Sequence, residues 1–150
     1  MQLTVTLNVV GGNYTMGMRG NFAELERLIL KFERLSKGDF VKTVLPKIGQ
    51  DAVELVEDGI RSQSDPYTIP WPTKKDGTSA LIGLIGSFSH HESGRRMTLE
   101  SSDEHAGYHQ TGTKKIPKRV MVPVKSRGFP TKWAVKFTKT IRETFEKSFK

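Results

Sequence analysis

The chain has no cysteine, which removes disulfides, thiolate metal sites and cysteine nucleophiles together and points to synthesis in a reducing compartment. No run approaches the ~18 apolar residues that a membrane-crossing helix needs. Met1 to Val10 also lacks the charged start and long apolar centre of a secretion signal. A soluble product of the cytoplasm, without membrane contact, is the expectation. Acidic residues are scarce in one place only. Met1 to Gly112 carries 12 basic and 14 acidic side chains, whereas Thr113 to Lys150 carries 12 and 2, so the last quarter supplies the excess behind the net charge of +8. Such a region attracts nucleic acid or an acidic protein surface through its field, unless it is a solvated face that keeps the chain soluble.

The catalytic signatures are missing as well. No serine stands in a Gly-x-Ser-x-Gly elbow, and Gly83 and Gly86 form neither a dinucleotide fingerprint nor a phosphate loop. They suit a strand bulge better. His105 and His109 are four apart, a spacing that on a helix brings two imidazoles to one metal, but Ala106 stands where the zinc-protease pattern needs glutamate and Gly107 weakens the helix. With His90, His91, Asp103 and Glu104 they make a nominal ligand set of the sort that polar hairpins produce by chance. Neither an enzyme nor a metal or cofactor site is expected.

What is present is enough for one domain over residues 1–150, since 35% hydrophobic and 27% charged residues are ordinary for a globular chain with a core. Leu3, Val5, Leu7 and Val9 alternate with polar residues as in a half-buried strand that ends at Gly11-Gly12-Asn13. Asn21 is placed to cap a first helix whose apolar positions are Phe22, Leu25, Leu28, Ile29, Phe32 and Leu35, with Gly38 as its C-terminal cap. Asp39 is placed to cap a second, with the stripe Val41, Leu45, Ile48, Ala52, Leu55, Val56 and Ile60. Pro46 predicts a kink or broken first turn there, and Asp65-Pro66 an end near Ser64.

Pro66 to Gly77 reads as an ordered loop in which Tyr67 and Trp71 must pack. Gly83 to His91 and Arg95 to Ser101 read as strands joined across Glu92-Ser93-Gly94. A one-turn helix or irregular connection at Asp103 to Gln110 leads to a third strand, Ile116 to Val124, in which Val120, Val122 and Val124 alternate with Met121 and Pro123. Proline marks it as an edge. A long amphipathic helix closes the chain, with Trp133, Phe137, Ile141, Phe145 and Phe149 every four residues and Thr131 as its cap. Lys132, Lys136, Lys139, Arg142 and Lys147 occupy the other faces. The fold class is therefore α+β: a small antiparallel sheet of N-terminal strand, central hairpin and edge strand, packed against two or three helices.

From Arg61 onward the order of features resembles the phage virion morphogenesis family, the Mu-type tail-completion proteins. Arg61-Ser62-Gln63-Ser64-Asp65-Pro66 followed by Trp71 carries the resemblance, as do Leu84-Ile85-Gly86-Ser87-Phe88, then Tyr108-His109-Gln110-Thr111-Gly112, then Ile116-Pro117-Lys118-Arg119. The family usually has small residues between tyrosine and His-Gln, and Pro-Ala-Arg where Pro117-Lys118-Arg119 stands here. The resemblance implies a structural subunit of a tailed-phage virion that acts late in assembly at the neck or the head-proximal end of the tail. It also implies a homo-oligomeric ring, commonly sixfold, in contact with other neck and tail proteins and around a channel that carries DNA.

Within that reading Tyr108, His109, Gln110 and Gly112 form a fixed turn, and the side chains of His109 and Gln110 satisfy backbone groups where the sheet ladder is interrupted. Arg119 either anchors the turn or pairs with an acidic group on the next subunit. Asp65, Pro66 and Trp71 anchor the loop. Lys114, Lys115, Lys118, Arg127, Lys132, Lys136 and Lys139 are the basic candidates for a subunit contact or for non-specific contact with DNA. The competing reading is a basic nucleic-acid-binding accessory domain, although the C-terminal aromatics are needed in the core and cannot also stack on bases.

Overall fold

Helix α2, Phe40–Ser62, is the centre of the molecule, because its apolar residues are too many for one stripe. The seven that the sequence singles out are buried, and so are Phe40, Val44, Gly49 and Val53. A helix apolar around so much of its circumference needs neighbours on more than one side. The computed structural model, which describes residues 5–9, 12–16, 21–36, 40–94 and 96–148, supplies them. Strands β1, Val5–Val9, and β2, Gly12–Met16, precede helix α1, Asn21–Ser36; strands β3, Phe88–Ser93, and β4, Arg96–Ser101, follow α2. Helices α3, His105–Thr111, and α4, Thr131–Lys147, complete the order. The sheet covers one side of α2, with α4 and α1 on the rest.

Four strands make the sheet, in the order β2-β1-β4-β3. Both hairpins are antiparallel, but β1 runs parallel to β4, with Val5 opposite Met97 and Val9 opposite Ser101. The expected all-antiparallel sheet is therefore corrected to a mixed one. Period-2 alternation carries no strand direction, and α1 with α2 provides the long crossover that a parallel neighbour requires. The N-terminal strand also pairs back on β2, where a simple turn was expected at Gly11-Gly12-Asn13. Gly11 lies outside the described residues, as do Leu3, Gly38, Asp39 and Phe149 and the side chains of Val5, Leu7, Val9, Asn21, Phe22 and Leu25.

Pro46 neither ends nor splits α2, which is one helix through it. Its end is set by Gln63 at φ 55: Gln63 N–H reaches the Ile60 carbonyl at 3.2 Å and Ser64 N–H the Gly59 carbonyl at 3.0 Å, a left-handed C-terminal cap without glycine. The Gln63 amide makes that conformation tolerable. It donates to the Ile60 and Ala80 carbonyls at 2.6 and 2.8 Å and accepts from Ala80 N–H at 2.7 Å, tying the helix end to the far side of the next loop. At the other end Phe32, Phe40 and Phe145 bring α1, α2 and α4 together, Phe32 stacking on Phe145 at 3.9 Å. Leu35, expected in the α1 stripe, is 54% exposed.

On α4, Trp133, Phe137 and Ile141 are almost wholly buried and Phe145 partly so. Each large side chain so placed stabilises the fold by roughly 1.5–3 kcal/mol. Pro130 stands at the cap position and Thr131 is the first helical residue, so the expected threonine cap is not used. Proline there has no N–H to leave unsatisfied.

The third strand expected at Ile116 to Val124 does not form. Arg119, Val120, Met121, Val122 and Pro123 are all buried in succession, so the segment has structure packed on both sides and no open face. Alternation of valines resembled a half-buried strand, but the intervening Met121 and Pro123 are buried as deeply as the valines. Partners other than a neighbouring strand take up the backbone groups of this segment, and those partners form the site described next.

Candidate functional site

Three of the four motif segments, though far apart in sequence, are joined by hydrogen bonds around one strip, residues 119–124. On one side stands α3. The Gln110 side chain is buried against the strip, its Oε1 accepting from Met121 N–H at 2.7 Å and Val122 N–H at 3.2 Å while its Nε2 donates to the Val122 carbonyl at 3.1 Å. One amide thus replaces a neighbouring strand. The backbone carbonyl of His109 accepts from Arg119 N–H at 2.7 Å. Contrary to expectation, the imidazole of His109 has no such role, since its buried Nδ1 has no partner. Burial, with the Arg119 guanidinium and His105 beside it, holds the His109 pKa below the ordinary histidine value.

On the other side stands the proline-rich loop after α2. Trp71 Nε1 donates to the Val120 carbonyl at 3.0 Å, and buried Arg119 donates through Nε and Nη2 to the Pro72 carbonyl at 3.1 and 3.0 Å. Of the two roles open to Arg119, the structure shows an anchor, and what it anchors is this loop. Tyr67 accepts from Val124 N–H at 3.0 Å and donates to the Gly128 carbonyl at 2.6 Å; burial pushes its pKa up. Asp65 turns the loop, its Oδ1 accepting from Tyr67 and Ile69 N–H at 2.8 Å each, and its Oδ2 holds Arg127 at 2.7 Å. The Arg127 guanidinium lies 3.8 Å from the centre of the Tyr67 ring. Pro66 is buried beside them.

Gly112 closes α3 at φ 76 and ψ 161, a conformation essentially confined to glycine. A Cβ there would also lie 3.0–3.2 Å from Lys118 Cβ, Cα and N. The chain then loops out through residues 113–118 and returns. Thr113 N–H donates to the Ile116 carbonyl at 2.9 Å, and Thr113 Oγ1 accepts from Lys115 and Ile116 N–H at 3.2 and 2.9 Å. Ile116 is half-buried, Pro117 exposed, and Tyr108 is 50% exposed, its ring T-shaped to that of His105 with centroids 6.3 Å apart.

The basic candidates divide into two groups. Arg127 is held by Asp65, Lys136 by Glu54 at 2.7 Å, and Lys139 lies 3.8 Å from Glu143. The Lys136 bond holds the Glu54 carboxyl below its ordinary pKa. Lys114, Lys115, Lys118 and Lys132 are exposed and make no ion pair among the described residues. Lys132 lines a groove between α2 and α4 with Asp51, Leu55, Asp58, Val135 and Glu143. Asp51 accepts from Thr140 in that groove, and its burial pushes its pKa up.

The histidines do not converge. His90 pairs with Glu92 at 2.6 Å under α2, His91 with Glu100 at 3.1 Å, and His105 with Asp103 at 2.8 Å. No group of three or more metal-ligating side chains occurs among the described residues, and no helix among them is long and apolar enough to cross a membrane. Sequence reasoning missed the pairing of Asp65 with Arg127 and the hydroxyl role of Tyr67. The signal for both was a buried loop with more polar side chains than its own turn could satisfy. Scanned against protein-family models, curated proteins and solved structures, the chain finds no match.

Proposed function

We propose that the chain is a structural subunit of a tailed-phage virion, forming a ring at the neck or head-proximal tail end during assembly. The observation that supports this reading is that three of the four segments resembling the virion morphogenesis family meet, those at Asp65 to Trp71, Tyr108 to Gly112 and Ile116 to Arg119. Trp71, Gln110 and the His109 carbonyl bond residues 119–122, Arg119 bonds back to the Pro72 carbonyl, and Asp65 holds Arg127 just beyond, so these parts of the resemblance fall on residues that act as a unit. A resemblance scattered over unrelated surface positions would carry less weight.

The partners in this reading are further copies of the chain, commonly six, together with other neck and tail proteins. A ring is built by repeating one heterologous contact, in which two different surfaces of the subunit meet. The chain has the required asymmetry, with balanced charge before Thr113 and a large positive excess after it. Sedimentation velocity on the purified chain, with electron microscopy of the sedimenting species, tests the assembly. A closed ring of several copies is the expected outcome, and a monomer that stays monomeric at high concentration and in the presence of purified tails contradicts it.

A further inference from the structure

From His105 to Arg142 there is no acidic residue. Within that stretch the structure neutralises or buries several cations: Arg119 on the Pro72 carbonyl, Arg127 on Asp65, Lys136 on Glu54 and Lys139 near Glu143. Three remain together on one short loop. Lys114, Lys115 and Lys118 are exposed, unpaired among the described residues, and carried by a backbone fixed by the Thr113–Ile116 bonds, by the approach of Gly112 to Lys118 and by the Arg119–His109 bond at its base. Side chains on a fixed loop lose less freedom on binding than those on a mobile one.

We propose that the loop of residues 113–118 is a binding site for the phosphate backbone of duplex DNA, independent of base sequence. Lysine is a point cation that suits phosphate, and phosphate contacts position a duplex without reading it. A protein partner fits less well. Protein interfaces are depleted in lysine and built around apolar anchors, and none of the large exposed hydrophobic side chains lies on this loop. A single strand fits less well too, because successive bases need several aromatic platforms and, among the described residues, Tyr108 is the one Phe, Trp or Tyr that is exposed. The proposal does not rest on the virion reading, since the same chemistry operates in a monomer or a ring.

The test is binding of the full chain to a mixed-sequence duplex oligonucleotide, followed by fluorescence anisotropy from about 50 to 200 mM salt. Wild type should bind at the low end, with affinity falling steeply as salt rises. The variant K114Q/K115Q/K118Q should lose affinity and show a log–log slope shallower by about 2.7, three phosphates at ~0.9 each. K114Q/K115Q, which leaves Lys118 in contact with Gly112, should change the slope by about 1.8 and guards against a folding defect in the triple variant. K132Q/R142Q/K147Q on α4 removes equal charge and should leave the slope nearly unchanged. Absence of duplex binding by wild type at low salt overturns the proposal, as does an equal loss in the loop and α4 variants. Sedimentation of the same proteins reports ring assembly separately, so failure of one reading does not imply failure of the other.

Discussion

At the scale of the residue, Gln110 bears most on whether the strip keeps its place. Its amide satisfies two backbone N–H groups and one carbonyl in a buried setting. Leucine at 110 would match its bulk and satisfy none of them. Gln110→Leu should therefore cost about 3 kcal/mol or more, because each of the three buried backbone groups left unsatisfied costs roughly 1–3 kcal/mol; the urea midpoint of the variant measures it. His109 adds a pH dependence. Its folded pKa is depressed, chiefly by burial, so below its unfolded value of about 6.5 the unfolded chain binds more protons than the folded one. The stability it contributes is present above that value and is lost as pH falls toward the folded pKa. Thermal melts at about pH 5 and pH 8 should show a smaller acid-induced drop in Tm for His109→Asn than for wild type, the other histidines being common to both. The sequence led to a fixed turn at His109 and Gln110; both lie in helix α3 instead, and of the two side chains it is Gln110 that meets backbone groups. Residue type gives bonding capacity, while packing decides which atoms meet.

At the scale of the element, helix α2 shows how a local preference yields to packing. Gly49 lies inside it, where alanine ordinarily improves a helix by about 1 kcal/mol. A Cβ at 49 would stand 2.5 Å from His90 Nδ1 and 2.9 Å from Glu92 Oε1, and those side chains are held by their own 2.6 Å bond. Overpacking of this sort costs about 1–3 kcal/mol, so the clash should outweigh the helical gain. Gly49→Ala should lower Tm, and Gly49→Ala combined with His90→Ala should recover part of the loss relative to His90→Ala alone. Helices were readable because apolar periodicity is a local property, as the buried stripe of α2 demonstrates. The segment before Pro123 was misread as a strand for the same reason. Alternating valines report burial of one face, and nothing local shows that Gln110, Trp71 and Tyr67 would occupy the places a neighbouring strand takes. The parallel pairing of β1 with β4 was equally invisible, since it depends on how α1 and α2 return the chain.

At the scale of the whole molecule, two long-range features coincide. A buried clasp joins the loop after α2 to the strip after α3, and an acid-free stretch presents its unpaired lysines just outside that clasp. The clasp gives the loop a fixed base, so a contact made there is transmitted to a rigid body. Charge asymmetry was legible from the sequence alone, but which cations remain free was not, because ion pairs such as Lys136 with Glu54 join residues remote in the chain. On the proposed role as a subunit of a tailed-phage virion, the chain should be indispensable to particle assembly. Electron microscopy of a lysate from the phage carrying a deletion of this reading frame is the most direct measurement. Separate heads and tails, or tails lacking a finished end, with infectivity restored by supplying the chain in trans, are the expected result. Complete and infectious virions formed without it would contradict a role in the neck or tail.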